Sequence, residues 1–330
     1  MGKDVENSTL LKNQDIICLD AAVPLLSPRY LGRNLNRFLA GKVDVALATV
    51  ASLENARDTV AAIGRWLEVE RSGKFPIRVA RSVADIEGAK RDGKFAVVLQ
   101  FQGTHPVEGD VNLLNVYQAL GVRTVQLTYN ARCLSGDGCI ESNDGGLSDF
   151  GRKVVQRVRD LALVLDIAHV GVRTSLEAIE AHGGAVICSH ANARALCDTP
   201  RDLTDEQIRA VAGSGGVIGA CAFPAFLSRD ETPTLEHFLR HIDYLCGLVG
   251  AEHVGLGFDY AEEDEDDYEY FGYDPRYWPR PPWVWPIGIS GPADTQNVRL
   301  GLEARGYPPE TVKGIMGGNF LRVFRAIWGR

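Results

Sequence analysis

No two cysteines in this sequence form a CxxC pair, no apolar run approaches the ~20 residues of a membrane span, and no excess of basic residues is present. The net charge is −8, which argues against a nucleic-acid partner, because phosphate binders need a basic face. The seven cysteines are scattered and odd in number. Several, such as Cys18, Cys188 and Cys221, sit in apolar runs and read as small buried hydrophobes in a reducing compartment. The first residues lack the apolar core of a signal peptide, so a cytoplasmic chain is expected, with no membrane and no nucleic acid as partner. No glycine-rich dinucleotide fingerprint follows the first strand-like run, which weakens a doubly wound nucleotide-binding reading.

What is present is a rhythm of short apolar runs and helical patterns. Strand-like runs fall at 16–20, 43–50, 96–101, 124–128, 164–168, 185–189, 216–222 and 254–258. Helical patterns fill 53–72, 83–91, 113–120, 147–161, 173–182, 205–212 and 235–249, and two more, 299–305 and 310–328, follow the last run. Near-continuous apolar runs alternating with helices imply a parallel sheet covered on both faces. Eight such runs close a (β/α)8 barrel of the TIM type, and 330 residues without a linker or fixed repeat suit one domain, 1–330.

Such a barrel places its active site at the carboxyl ends of its strands. Reading those ends gives Asp20, Thr49, Gln102, Tyr129, His169, His190, Phe223 and Asp259. The stretch 164–192 is the most telling, because two successive strand–helix units each end at a histidine, His169 and His190. Imidazoles on neighbouring strand ends are placed to share a metal, and Gln102 could ligate through its amide oxygen. His105 follows closely in QGTHP. Thr49 and Phe223 read from the residues alone as packing, with Phe223 also available as an apolar wall for a substrate.

The segments GVRTVQLTYN, GLSDFGRKVV, DIAHVG, ICSHANARALCDTPRDLTDE, HVGLGFD and GGNFLRVF, in this order, resemble the membrane (renal-type) dipeptidase family of zinc hydrolases, whose barrel is amidohydrolase-like. The resemblance implies that His169 and His190 bind one zinc, that Asp259 touches the other metal and the catalytic water, and that Arg201 holds the substrate carboxylate. His105 matches a histidine just after the family's bridging glutamate. The chain also departs from the pattern. Where the family has Asp-Gly-His-Asn-Asp after the first strand, this sequence has LDAAVPLL, so only Asp20 remains of that metal site. The bridging glutamate is Gln102, the histidine facing the scissile carbonyl is Tyr129, and the asparagine after the arginine is Asp202.

A bridged two-zinc centre needs a carboxylate between the ions, and an amide is uncharged. One zinc per chain is therefore expected, on His169, His190 and a weak Gln102, with another divalent ion able to compete. Asp259 would orient water and carry a proton, while Tyr129 or His105 would donate to the developing oxyanion. Arg201, Tyr129 and Phe223 would bind substrate. The expected activity is hydrolysis of an amide in a small, dipeptide-like, carboxylate-bearing molecule. The alternative is changed chemistry (a lyase, an isomerase or a non-peptide hydrolase) with the metal weakly bound or absent. The segment 261–288 opens with a carboxylate run and continues with aromatics and prolines, and reads either as a solvated acidic turn with a proline-stiffened surface loop or as a pocket wall, a lid or a subunit contact. A homodimer is implied by the resemblance alone.

Overall fold

The computed structural model describes residues 16–24, 27–261 and 265–329, with side chains for all but 265–267. Among the described residues, nine strands form one sheet: β1 Leu19–Val23, β2 Val45–Ala51, β3 Ile77–Val79, β4 Phe95–Phe101, β5 Val122–Gln126, β6 Val164–Asp166, β7 Ile187–Cys188, β8 Val217–Ala220 and β9 Val254–Leu256. All pair in parallel, in the order β1-β2-β4-β5-β6-β7-β8-β9, with β3 as a short side branch on β4. The result is a nearly closed eight-strand barrel with helices between strands, the expected (β/α)8 architecture. β3 is not among the expected runs. It has three residues and follows Pro76, too little for a periodic signal. The helix Leu31–Ala40 is also additional, and buries Leu31, Leu35 and Phe38 at a helical spacing.

Side chains alternate across each strand, so one strand feeds two cores. Val45 and Leu47 join an inner cluster with Leu19, Val98, Ile187 and Val217, while Ala46 and Ala48 join the outer cluster under the helices. The C-terminal helix Asn319–Trp328 brings Phe320 and Phe324 into the inner cluster. Gly255 makes room for that plug, since a Cβ there would lie 2.4 Å from the Phe320 ring. Burying each such phenylalanine contributes about 2–3 kcal/mol.

Side chains finish the barrel where backbone pairing runs out. Asp20 Oδ1 accepts the Ala22 N–H at 3.2 Å and the Phe258 N–H at 3.0 Å, beside a backbone bond from Asp259 N–H to the Ala22 carbonyl at 3.1 Å. Asp166 repeats this between β6 and β7, where its Oδ1 accepts from Ala168 at 3.0 Å and Ser189 at 2.9 Å. The two matching sequences are LDAA and LDIA. Both carboxyls are fully buried, and burial raises both above the carboxylate range, Asp20 to about 8. Among the described residues, no helix is long and apolar enough to cross a membrane.

Candidate active site

Six of the expected site residues lie at the carboxyl-end mouth, but the structure does not gather all of them into one cavity. His169 and His190 follow β6 and β7, and their Nε2 atoms are 2.8 Å apart. Each ring is held from behind. His169 Nδ1 lies 2.6 Å from Asn130 Oδ1, and His190 Nδ1 lies 2.6 Å from Ser189 Oγ. Asn130 Oδ1 also receives the Cys139 thiol, so it acts as acceptor and His169 Nδ1 carries the proton. That leaves the lone pair of His169 Nε2 facing His190. Burial, with the Arg201 guanidinium nearby, holds both imidazoles well below the usual histidine range, so both are neutral. Asp259 Oδ2 stands 3.9 Å from His190 Nε2, and burial pushes its carboxyl up to about 7 against the pull of Arg201.

Three residues of this group, Asn130, His169 and Asp259, have φ near +60°, a region that side-chain-bearing residues rarely occupy. Such backbone persists where the surrounding structure over-determines it, and it gathers at functional sites. Two glycines make the histidine position possible. A Cβ on Gly257 or Gly219 would meet the Ser189 carbonyl oxygen at 1.9 Å or 2.1 Å, so β8 and β9 crowd the residue that precedes His190.

Residues 7–269, which carry the histidine pair and Asp259, match the model of the membrane dipeptidase family, peptidase family M19. The chain belongs to that family. An uncharacterized protein in the pqqA 5' region of Klebsiella pneumoniae is 30% identical over 268 residues, which cover 76% of this chain and 89% of that protein. A solved amidohydrolase from Pseudomonas aeruginosa is 31% identical, with a TM-score of 0.88 over 96% of this chain and 98% of that one. A metallopeptidase from Rhodobacter sphaeroides, solved with a phosphinate mimic of the dipeptide L-Ala-D-Ala, shares the fold at 19% identity and a TM-score of 0.80, over 95% and 99% of the two chains. The chain spans about half the length of most curated dipeptidases it matches.

Against the pattern of the M19 dipeptidases, three expected residues take other places. Asp20 does not line the cavity, because its carboxyl closes the seam between β1 and β9. His105 also stays out of the cavity, and its Nδ1 donates to the Ser52 carbonyl at 3.1 Å. Arg201 is buried behind the wall, and its Nη2 donates to the His190 carbonyl at 2.7 Å. Its Nε and Nη1 are buried without a partner, so it does not offer a carboxylate clamp at the cavity surface. Gln102, Tyr129, His169, Phe223 and Asp259 do line one cavity of ≈ 190 Å³. Gln102 has a buried amide nitrogen without a partner, and its backbone carbonyl accepts from Gln126 at 2.8 Å. Tyr129 stacks on His169 at 4.5 Å, and its hydroxyl meets that of Tyr273 at 2.6 Å. Burial and that neighbour raise the Tyr129 hydroxyl well above the usual phenol range.

Does this donor set fit the metal of the M19 dipeptidases? Among the described residues, no three or more His, Cys, Asp or Glu residues assemble as a metal site. Ala21, Ala22 and Val23 fill β1 where the family pattern has ligands, so a two-metal centre does not fit. One ion fits better. Two nitrogens bound to one zinc lie about 3.3 Å apart at a tetrahedral angle. The rings would part by roughly half an ångström from their present contact. The proton arrangement allows it, because Ser189 Oγ can accept from His190 Nδ1 while its own hydroxyl faces Asp166. Reading the sequence missed Asn130, Ser189, Asp166 and Asn192. The first two orient the histidines, and Asn192 ties the end of β7 to Cys221 and Phe226 by three hydrogen bonds of 2.9–3.0 Å. The letters LTYN and CSHAN carried the signal: a short polar residue beside each rim position.

The segment after β9 forms the cavity's wall. Tyr268, Tyr273, Trp278 and Trp283 line it, and they pack with Phe223 and Phe226 as a separate aromatic cluster. The carboxylate run at its start lies partly outside the described residues.

Proposed function

We propose that this protein is a one-metal hydrolase of a small amide, acting at the mouth of the barrel. The observation that carries this reading is the pair of buried, neutral imidazoles with Nε2 atoms facing each other, and the Asp259 carboxylate 3.9 Å away. His169 and His190 would hold the ion, with Gln102 or Asp259 as a third donor. A divalent ion there supplies Lewis acidity and makes water a nucleophile near neutral pH. Asn130 and Ser189 keep both rings in the ligating orientation. Asp259 takes the proton of the attacking water and delivers it to the leaving amine, a role suited to a carboxyl near 7. The Tyr129 hydroxyl, high in pKa and therefore protonated, donates to the oxygen that gains charge. Family membership supports a dipeptide-like amide as the first substrate class to test.

The experiment is a dipeptide panel assayed with metal-free protein and after adding zinc, cobalt or manganese, with metal per chain measured by elemental analysis. Turnover that appears with one bound ion, and is lost in His169→Ala, is the expected result. No turnover on any dipeptide in any metal would refute the dipeptidase form. A second reading, chemistry changed from that of the family, is favoured by the missing ligands of β1 and by the absence of Arg201 from the cavity surface. Under it, Gln102→Glu restores a carboxylate without producing dipeptidase activity.

A further inference from the structure

The walls of the cavity have a chemistry of their own, apart from the histidine pair. Among the described residues, eighteen line it, of which eight are aromatic, and the two charged ones, Glu54 and Asp259, are both acidic. Among the described residues, no lysine or arginine lines it. The rings brace one another. Tyr273 stacks on Trp278 at 5.6 Å and on Phe271 at 5.6 Å, and Trp283 meets Phe223 edge-on at 5.0 Å. Glu54 is anchored through Oε2, which accepts the Ser52 N–H at 2.5 Å. Four arginines lie near the cavity without lining it: Arg29 and Arg33 lie over the ring of Tyr30, a lining residue, at 5.1 Å and 4.5 Å. Arg201 is buried behind the wall, and Arg280 lies over the Tyr268 ring at 4.9 Å while paired with Glu269 at 2.8 Å.

We propose that the aromatic side of this cavity, with Glu54, binds a substrate bearing an alkylated ammonium group, and holds it opposite His169 and Asp259. An aromatic face attracts a cation through its ring quadrupole, and the attraction grows when water is excluded. Acidic groups in a low-dielectric cleft add a field of the same sense. An anionic group has no lining cation to meet, so the carboxylate-first recognition expected from Arg201 gives way to recognition of positive charge. An alkylated ammonium suits the walls better than a primary one, because its methyl groups bury apolar surface and need no hydrogen-bond acceptors. The inference deepens the proposed function by naming the charge of the substrate, and it rests on that cavity being the substrate site.

The test uses the full chain, metal-free and metal-loaded, and needs no turnover. Choline is titrated against its neutral isostere 3,3-dimethylbutan-1-ol and against butyrate. The readouts are tryptophan fluorescence, since Trp278 and Trp283 line the cavity, and calorimetry. Choline is expected to bind at least tenfold tighter than the isostere, and butyrate weaker still. Trp283→Leu, which keeps apolar volume and removes the ring face, is expected to weaken choline about tenfold and the isostere much less. Glu54→Gln, which keeps the acceptor for Ser52, is expected to weaken choline alone. Equal affinity for choline and the isostere, preference for butyrate, or choline binding indifferent to both variants would each overturn the proposal. Because binding is read without hydrolysis, an enzyme inactive on dipeptides still shows whether the aromatic cage holds a cation. A cage that fails leaves the metal and turnover assays standing.

Discussion

Removing the hydroxyl of Ser189 tests the metal reading most directly. Ser189 Oγ is 2.6 Å from His190 Nδ1, and the His190 ring is fully buried, so no water can replace the lost partner. In a metal-loaded pair, His190 must bind through Nε2 and carry its proton on Nδ1. Ser189→Ala takes away the acceptor of that buried N–H, at a cost of about 1–3 kcal/mol. Loss of a group that orients a metal-bound histidine typically lowers affinity 10–100-fold, which corresponds to about 1.4–2.7 kcal/mol. Asn130→Ala does the same for His169, where the contact is also 2.6 Å. The two act on different rings, yet serve one ion. Competition titration of cobalt against a chelator, with circular dichroism to confirm folding, measures all four corners of the cycle. Each single variant should bind metal at least tenfold more weakly. A folded Ser189→Ala protein with wild-type metal affinity would refute the reasoning, because the ring would then ligate without the proton arrangement the structure imposes.

Other consequences follow from the same contacts. Asp202 is buried, its carboxyl raised to about 7 mainly by burial, while the Asn192 N–H at 3.0 Å and Thr199 hydroxyl at 3.2 Å hold it down. A raised folded pKa means that the folded state binds the extra proton, so stability is full near pH 4 and declines as pH rises to about 7. Asp202→Asn should remove its share of that decline, at most on the order of 4 kcal/mol, as read by urea unfolding at pH 4.5 and 7.5; Asp20 contributes a decline of the same sign. Gly257→Ala puts a methyl 1.9 Å from the Ser189 carbonyl, and should cost about 3 kcal/mol or more by thermal unfolding, while Gly213→Ala, with nothing within 4 Å, should be close to neutral. Asp259→Asn should lower kcat by roughly 10²–10⁴-fold, measured on whichever amide the panel identifies.

The barrel was legible because alternation is a local property. Runs such as 96–101 and 254–258 are apolar on both faces, and only a sheet covered on both sides uses that pattern. Strands β4 and β9 overlie those runs. The helices 113–120 and 235–249 appear at the same residues, Leu113–Leu120 and Leu235–Val249, because glycine ends both. The rim residues were legible for the same reason, since strand ends are visible in sequence. The orientation of those residues was not. Asp20 and Asp259 both close strand-like runs in the sequence, but Asp20 is the second residue of β1 and turns into the β1–β9 seam, whereas Asp259 follows β9 and turns to the cavity.

Periodicity and the order of short motifs were enough for the fold, the family and the pairing of His169 with His190. Which polar groups meet was left to the folded chain. Arg201 lies eleven residues beyond His190 yet is buried against its backbone, and His105, far along the chain from Ser52, bonds to the Ser52 carbonyl and does not line the cavity itself. Folding also turns aromatic residues from 223 to 283 into one wall around two carboxylates. The difference is one of range: backbone preference acts over a few residues, whereas desolvation and charge act through space, between groups that the chain does not place side by side.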